Sequence, residues 1–262
     1  MWTTHDRIRS ITYNDKKSQW SPLNRGHLII ESPPPPVYDD NAEQLRRTWN
    51  AAQVQILLGD TFIFGRMDDL DIQRRIANLP AGVTFPTIVY LHGCALPRWT
   101  GPYSFWYSFG ESGYALIAPD SFARSDTPTR CDQNYSRPSA RLQELRFALT
   151  QIRRLPWVDR HNLFLIGHDE GGKAAGRYKG DAFKAIIVAS TSCDIQLPAR
   201  RASPLLAIGS VGDPWTRGLG PYCDHATDRI LVDGSSHGVM VYPQVRRKIQ
   251  QFILQRTEIP WT

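Results

Sequence analysis

The chain has 262 residues, 41% hydrophobic and 21% charged, a composition that excludes a disordered, collagen-like or coiled-coil protein. With a mean hydropathy of −0.38 and no run near the ~18 apolar residues that mark a span, no membrane span is expected. The net charge of +6 comes from 31 basic and 25 acidic residues. Of the basic residues 25 are Arg, in scattered pairs such as Arg46-Arg47 and Arg153-Arg154, which predicts solvated helix faces and no nucleic-acid partner.

Met1–Arg7 lacks the apolar stretch of a signal peptide, which leaves a cytoplasmic protein or an exported one whose signal has been removed. Cys94, Cys131, Cys193 and Cys223 match no zinc spacing and read equally as disulfides or buried thiols. No metal or other cofactor is expected, and the oligomeric state is left open.

Residues 1–40 read as an extended arm, Pro-rich at 33–36, ahead of a single α/β domain over 41–262. Asp40 and Glu43 suggest a capping box, with Leu45, Trp49, Ala52 and Ile56 following at helical spacing. Short apolar strands are predicted at 87–91 and 114–118, with Phe105, Trp106 and Phe109 on a helix between them. Leu142, Leu145, Leu149 and Ile152 mark an amphipathic helix. Strands at 163–166, 185–188, 205–208 and 229–232 follow, and Val245, Ile249, Phe252 and Ile253 mark a closing helix. Apolar strands alternating with amphipathic helices imply a mostly parallel sheet covered on both faces. Chemistry then belongs at the carboxyl ends of the strands.

Three strand ends carry it. After 163–166 comes Gly167-His168-Asp169-Glu170-Gly171-Gly172, the frame of a strained strand-to-helix turn that presents its central side chain, Asp169. Asp213 follows the 205–208 strand and His237 follows the 229–232 strand. Nucleophile, acid and histidine in that chain order define the triad of α/β-hydrolases, with His237 as general base and Asp213 fixing its tautomer. Asp233 is a substitute acid. The N–H groups of Glu170 and Cys94 are the oxyanion-hole candidates. Arg124, Trp99 and Trp215 are candidate substrate contacts, Arg124 on a loop at 121–138 that also carries Phe122, Arg130 and Tyr135. His92 and His168 read as structural turn residues, and a metal site from His168, Asp169, Glu170 and His237 is disfavoured because neighbours in a strained turn diverge.

The segments TIVYLHGC, YALIAPDSFARSD, LPWVDRHNLFLIGHDEGG and LLAIGSVGDPW, with the late His237, resemble the dienelactone hydrolase-like branch of the α/β-hydrolase superfamily over about residues 85–255. The resemblance implies that fold without a cap domain and cofactor-free hydrolysis of a small ester or lactone. Related elbows usually read GHSEGG with a serine or cysteine nucleophile, where this chain has Asp169. An aspartate there admits three outcomes: an ester hydrolase with altered or lost activity, an aspartate-nucleophile hydrolase of dehalogenase or epoxide hydrolase type, or a silent protein that binds a ligand or partner. Thirteen residues, 191–203, stand where aspartate-nucleophile enzymes usually insert a helical cap.

Overall fold

A computed structural model describes residues 42–93, 105–125, 138–191, 203–214, 216 and 226–258, the side chains of 105, 106 and 138 excepted. The arm, the Asp40 cap, all four cysteines, Trp99, Arg130, Tyr135 and Trp215 lie outside the described residues.

Helix α1 (Ala42–Asn50) leads into a hairpin of β1 (Gln53–Leu58) and β2 (Thr61–Arg66), then α2 (Leu70–Ala77). The expected continuation of α1 through Ala52 and Ile56 is therefore corrected: the chain leaves the helix after Asn50 and Ile56 lies in a strand. Helical spacing lost to sheet pairing, because Val54 and Ile56 fill fully buried sites in β1. The hairpin closes at Gly59-Asp60, where Gly59 has φ +54°, a conformation that glycine adopts without steric cost.

The remaining elements follow the predicted alternation. They are β3 (Phe85–Leu91), α3 (Phe105–Glu111), β4 (Ala115–Ala118), α4 (Pro138–Ile152), β5 (Val158–His168), α5 (Glu170–Arg177), β6 (Ala185–Ala189), β7 (Leu205–Ser210), β8 (Asp228–Val232) and α6 (Pro243–Leu254). They build an eight-stranded sheet in the order β2-β1-β4-β3-β5-β6-β7-β8. Pairing is parallel from β4 to β8, and β1 is antiparallel to both of its neighbours.

Alternate side chains of the central strands face opposite ways, as pleating requires. Val89, Leu91, Leu165 and Val188 pack with Leu145, Leu149 and Ile152 of α4 and Ala174 and Ala175 of α5. Ile88, Tyr90, Phe164, Ile166 and Ile187 pack with Phe109 of α3 and Val245, Ile249 and Phe252 of α6. Helices thus cover both faces, and the strands between them read as nearly continuous apolar runs for that reason. Between Ala189 and Leu205 the connection is too short for a helical cap domain. No helix among the described residues is long and apolar enough to cross a membrane.

Candidate active site

The carboxyl ends of β3, β5, β7 and β8 meet at one edge of the sheet. At the end of β5, Asp169 adopts φ 53° and ψ −116°, a conformation that costs a non-glycine residue about 1–3 kcal/mol and persists only where its surroundings impose it. They do. The Asp169 N–H donates to the Ala189 carbonyl at 3.0 Å, and its own carbonyl accepts from Lys173 N–H at 3.0 Å, opening α5. Glycine is obligatory on both sides. A Cβ on Gly167 would lie 2.3 Å from the Gly171 oxygen, and one on Gly171 would lie 2.0 Å from the Leu91 oxygen. The turn can be this tight only because these positions carry no side chain.

Asp213 and His237 are brought together across 24 residues of sequence. His237 Nδ1 donates to Asp213 Oδ2 at 2.9 Å, and Asp213 is only 1% exposed. Nε2 of His237 faces Asp169 Oδ1 at 3.9 Å, longer than a hydrogen bond and within ion-pair range. Burial works against the imidazolium, but the carboxylates of Asp169 and Asp213 outweigh it and hold His237 above its ordinary value. Both carboxylates thus favour the protonated form of a histidine placed between two acids.

The loops bearing these groups are stitched together by residues that the sequence pattern did not single out. Ser210 Oγ and Gly212 N–H both donate to the Gly234 carbonyl, tying the acid loop to the histidine loop. The carbonyl of His237 accepts from Ser190 Oγ and from His168 Nε2, the latter at 3.1 Å. Ser190 is fully buried and, like Asp169, has a positive φ, 48°. Burial keeps His168 below its ordinary value, so it sits neutral and donates from Nε2. The expected structural role of His168 thus has a definite content: it props His237, edge to face with its ring at 5.0 Å.

His92, at the end of β3, is fully buried. Its Nε2 accepts from Ser121 N–H at 3.0 Å, so the proton lies on Nδ1, which donates to the Gly93 carbonyl at 2.8 Å. Gly93 approaches the elbow so closely that a Cβ there would meet Asp169 Cβ at 2.8 Å. Glu170 opens α5, so its N–H lies at the positive end of that helix. Its side chain pairs with Lys173 at 3.2 Å. Cys94, the other oxyanion candidate, and the pocket candidates Trp99 and Trp215 lie outside the described residues.

Arg124, the candidate substrate contact, is only 4% exposed and faces the buried carboxylate of Glu144 at 3.6 Å. Among the described residues, no three His, Cys, Asp or Glu side chains are grouped so as to hold a metal ion.

No protein family and no curated protein matches the sequence. Solved structures do. A Bacteroides ovatus protein assigned as a dipeptidyl aminopeptidase IV superposes with a TM-score of 0.54 at 16% identity, covering 69% of this chain and 32% of its own. This chain therefore spans about a third of that protein's length. A Klebsiella pneumoniae protein assigned as a dienelactone hydrolase gives 0.50 at 15% identity, covering 68% and 88% of the two chains. Est1E from Butyrivibrio proteoclasticus gives 0.50 at 13% identity, covering 78% and 93%. Likeness at these identities shows the fold, and the chain has the α/β-hydrolase fold.

Proposed function

We propose that the protein is a cofactor-independent hydrolase of a small molecule, with Asp169 as nucleophile, His237 as base and Asp213 as the support of His237. The observation that carries this reading is the assembled set itself: a strained Asp169 presented at the elbow, 3.9 Å from a histidine whose other nitrogen is fixed on a buried aspartate.

A carboxylate is a poor acyl nucleophile but attacks saturated carbon well, so the geometry supports an alkyl electrophile such as an epoxide or an alkyl halide. Asp169 displaces the leaving group and becomes an alkyl ester. The ester is neutral, so one of the two charges that hold the proton on His237 disappears. His237 then releases its proton to the leaving group or to solvent and becomes a base when one is needed. It takes a proton from water, the resulting hydroxide attacks the Asp169 ester carbonyl, and the C–O bond to the former carboxylate oxygen breaks. Alcohol leaves, and the Asp169 carboxylate and the protonated His237 are restored. Asp213 stabilises the imidazolium throughout.

A second reading is favoured by the short connection between Ala189 and Leu205, which leaves no room for the helical cap that usually accompanies an aspartate nucleophile. Under it the protein belongs to an ester or lactone hydrolase lineage weakened at Asp169. Multiple turnover of epoxides, alkyl halides and aryl esters in heavy-oxygen water, followed by mass analysis of the Asp169 peptide, separates the two. The first reading expects label in the Asp169 carboxylate, and an unlabelled peptide after many turnovers refutes it. The second expects Asp169→Ser to raise aryl-ester cleavage. A protein that turns over nothing yet binds a ligand saturably is the silent member of the fold.

A further inference from the structure

Beneath the site lies a charged side chain that the proposed chemistry does not use. Arg141, near the start of α4, is only 6% exposed, an uncommon position for a guanidinium. Its hydrogen bonds run to Ser121 Oγ at 2.5 Å, His92 Nε2 at 3.3 Å and the Gly93 carbonyl at 3.1 Å. None of them goes directly to a carboxylate: the buried Glu144, one turn along the same helix, is reached only through Ser121 Oγ, which donates to it. A buried arginine that served only to neutralise an acid would fork onto it, since the bidentate carboxylate pair is its strongest contact. This fork instead spans the ends of two strands, joining the residue after β3 to the residues that follow β4.

We propose that Arg141 is a positioning residue of the active site, gripping the Gly93 carbonyl and so holding Gly93 in place against Asp169. The inference rests on the hydrolase reading above. Two donors, Arg141 Nη2 and His92 Nδ1, converge on that one oxygen, and the same arginine also donates to the accepting nitrogen of His92. The tautomer that lets His92 grip Gly93 is thus set by Arg141 and the Ser121 N–H together. Gly93 also touches the elbow, where a Cβ would stand 3.0 Å from Asp169 Oδ2, so its displacement is felt at the nucleophile.

The sequence supplies a direct probe. Gly93-Cys94 is the single Gly-Cys pair in the chain. Labelling the full-length protein with carbonyl-13C glycine and 15N cysteine therefore yields one carbonyl–amide cross-peak. In Arg141→Met that cross-peak is expected to move, with the carbonyl signal shifting as a hydrogen bond from a charged donor is lost, and Arg141→Lys is expected to give an intermediate position. An unmoved cross-peak in either folded variant overturns the proposal, and the lysine variant decides alone where the methionine variant fails to fold. In an Asp169→Ser background, labelling by a fluorophosphonate is expected to slow by about tenfold or more with Arg141→Met, because small misplacements of reacting groups are costly. Arg141→Lys is expected to recover part of that rate. A merely structural arginine would lower the unfolding temperature and move the cross-peak but leave the labelling rate unchanged, and that unchanged rate is the overturning result. An Asp169→Ser protein that ignores the fluorophosphonate counts against the hydrolase reading, while an unmoved cross-peak still overturns the grip of Arg141 on Gly93.

Discussion

Replacing Gly171 by alanine tests whether the elbow owes its geometry to the close packing of α5 on β3. The added Cβ would lie 2.0 Å from the Leu91 oxygen, 2.4 Å from the Leu91 carbon and 2.8 Å from the His92 oxygen. Ordinary contact begins near 3.4 Å, so the first α5 turn and β3 must separate by up to 1.4 Å, the difference between 3.4 and 2.0. All three atoms are backbone, and β3 is held on both sides by β4 and β5, so no side chain can swing away to absorb the overlap. Overpacking of this kind costs about 1–3 kcal/mol, which lowers Tm by roughly 2–4 °C per kcal/mol in a chain of this size. Because Asp169 begins the same turn, a shift near 1 Å should also slow the reaction by about a hundredfold. Thermal unfolding and turnover of the best probe substrate measure the two effects. Gly113→Ala is the control: its φ is +82° and a Cβ there meets nothing within 4 Å, so it should cost stability through backbone strain while sparing turnover. A Gly171→Ala protein with unchanged Tm and turnover would refute the packing argument.

The His237 proton makes stability depend on pH. Its folded midpoint is raised above the ordinary 6.5, so its contribution is fully present below about pH 6.5 and is lost as pH rises through the folded midpoint. Urea unfolding from pH ~6 upward should show that loss in the wild-type chain and not in His237→Gln. Asp213→Asn should lower the His237 midpoint seen by NMR and reduce turnover by roughly 10³–10⁴-fold, as loss of the orienting acid does in serine triads; an unchanged midpoint would break the assignment. Asn162→Ala should release Glu258, whose backbone N–H and carbonyl bond reciprocally with the Asn162 side chain at 2.7 and 2.8 Å. The cost should be about 1–2 kcal/mol by urea unfolding, with His237 titration unaffected.

The parallel strands and the elbow were legible because each is a local pattern with a local cause. Apolar runs at β3, β5, β6 and β7 reflect burial on both faces, and the glycines at 167 and 171 reflect a turn with no space for Cβ. The hairpin of β1 and β2 was not legible, since Leu45, Trp49, Ala52 and Ile56 mimic a helix whose competitor is pairing with a strand some sixty residues on, at Leu116–Ala118. The partner of Arg124 was hidden for a related reason. In sequence Arg124 is one more arginine on a polar loop, and only the fold puts Glu144 opposite it.

Composition and charge by themselves excluded a membrane-spanning helix and gave no sign of a nucleic-acid surface. The order of Asp169, Asp213 and His237 after β5, β7 and β8 determined where the chemistry would be sought. Tertiary structure decided the rest: that Asp213 closes on His237 at 2.9 Å, that Ser190 and His168 hold the His237 carbonyl, and that Arg141 reaches Gly93 from another helix. Those contacts join residues 20 to 70 positions apart. Chain periodicity encodes which face of an element is buried, but it carries no information about which distant polar atoms will meet once the strands are in register.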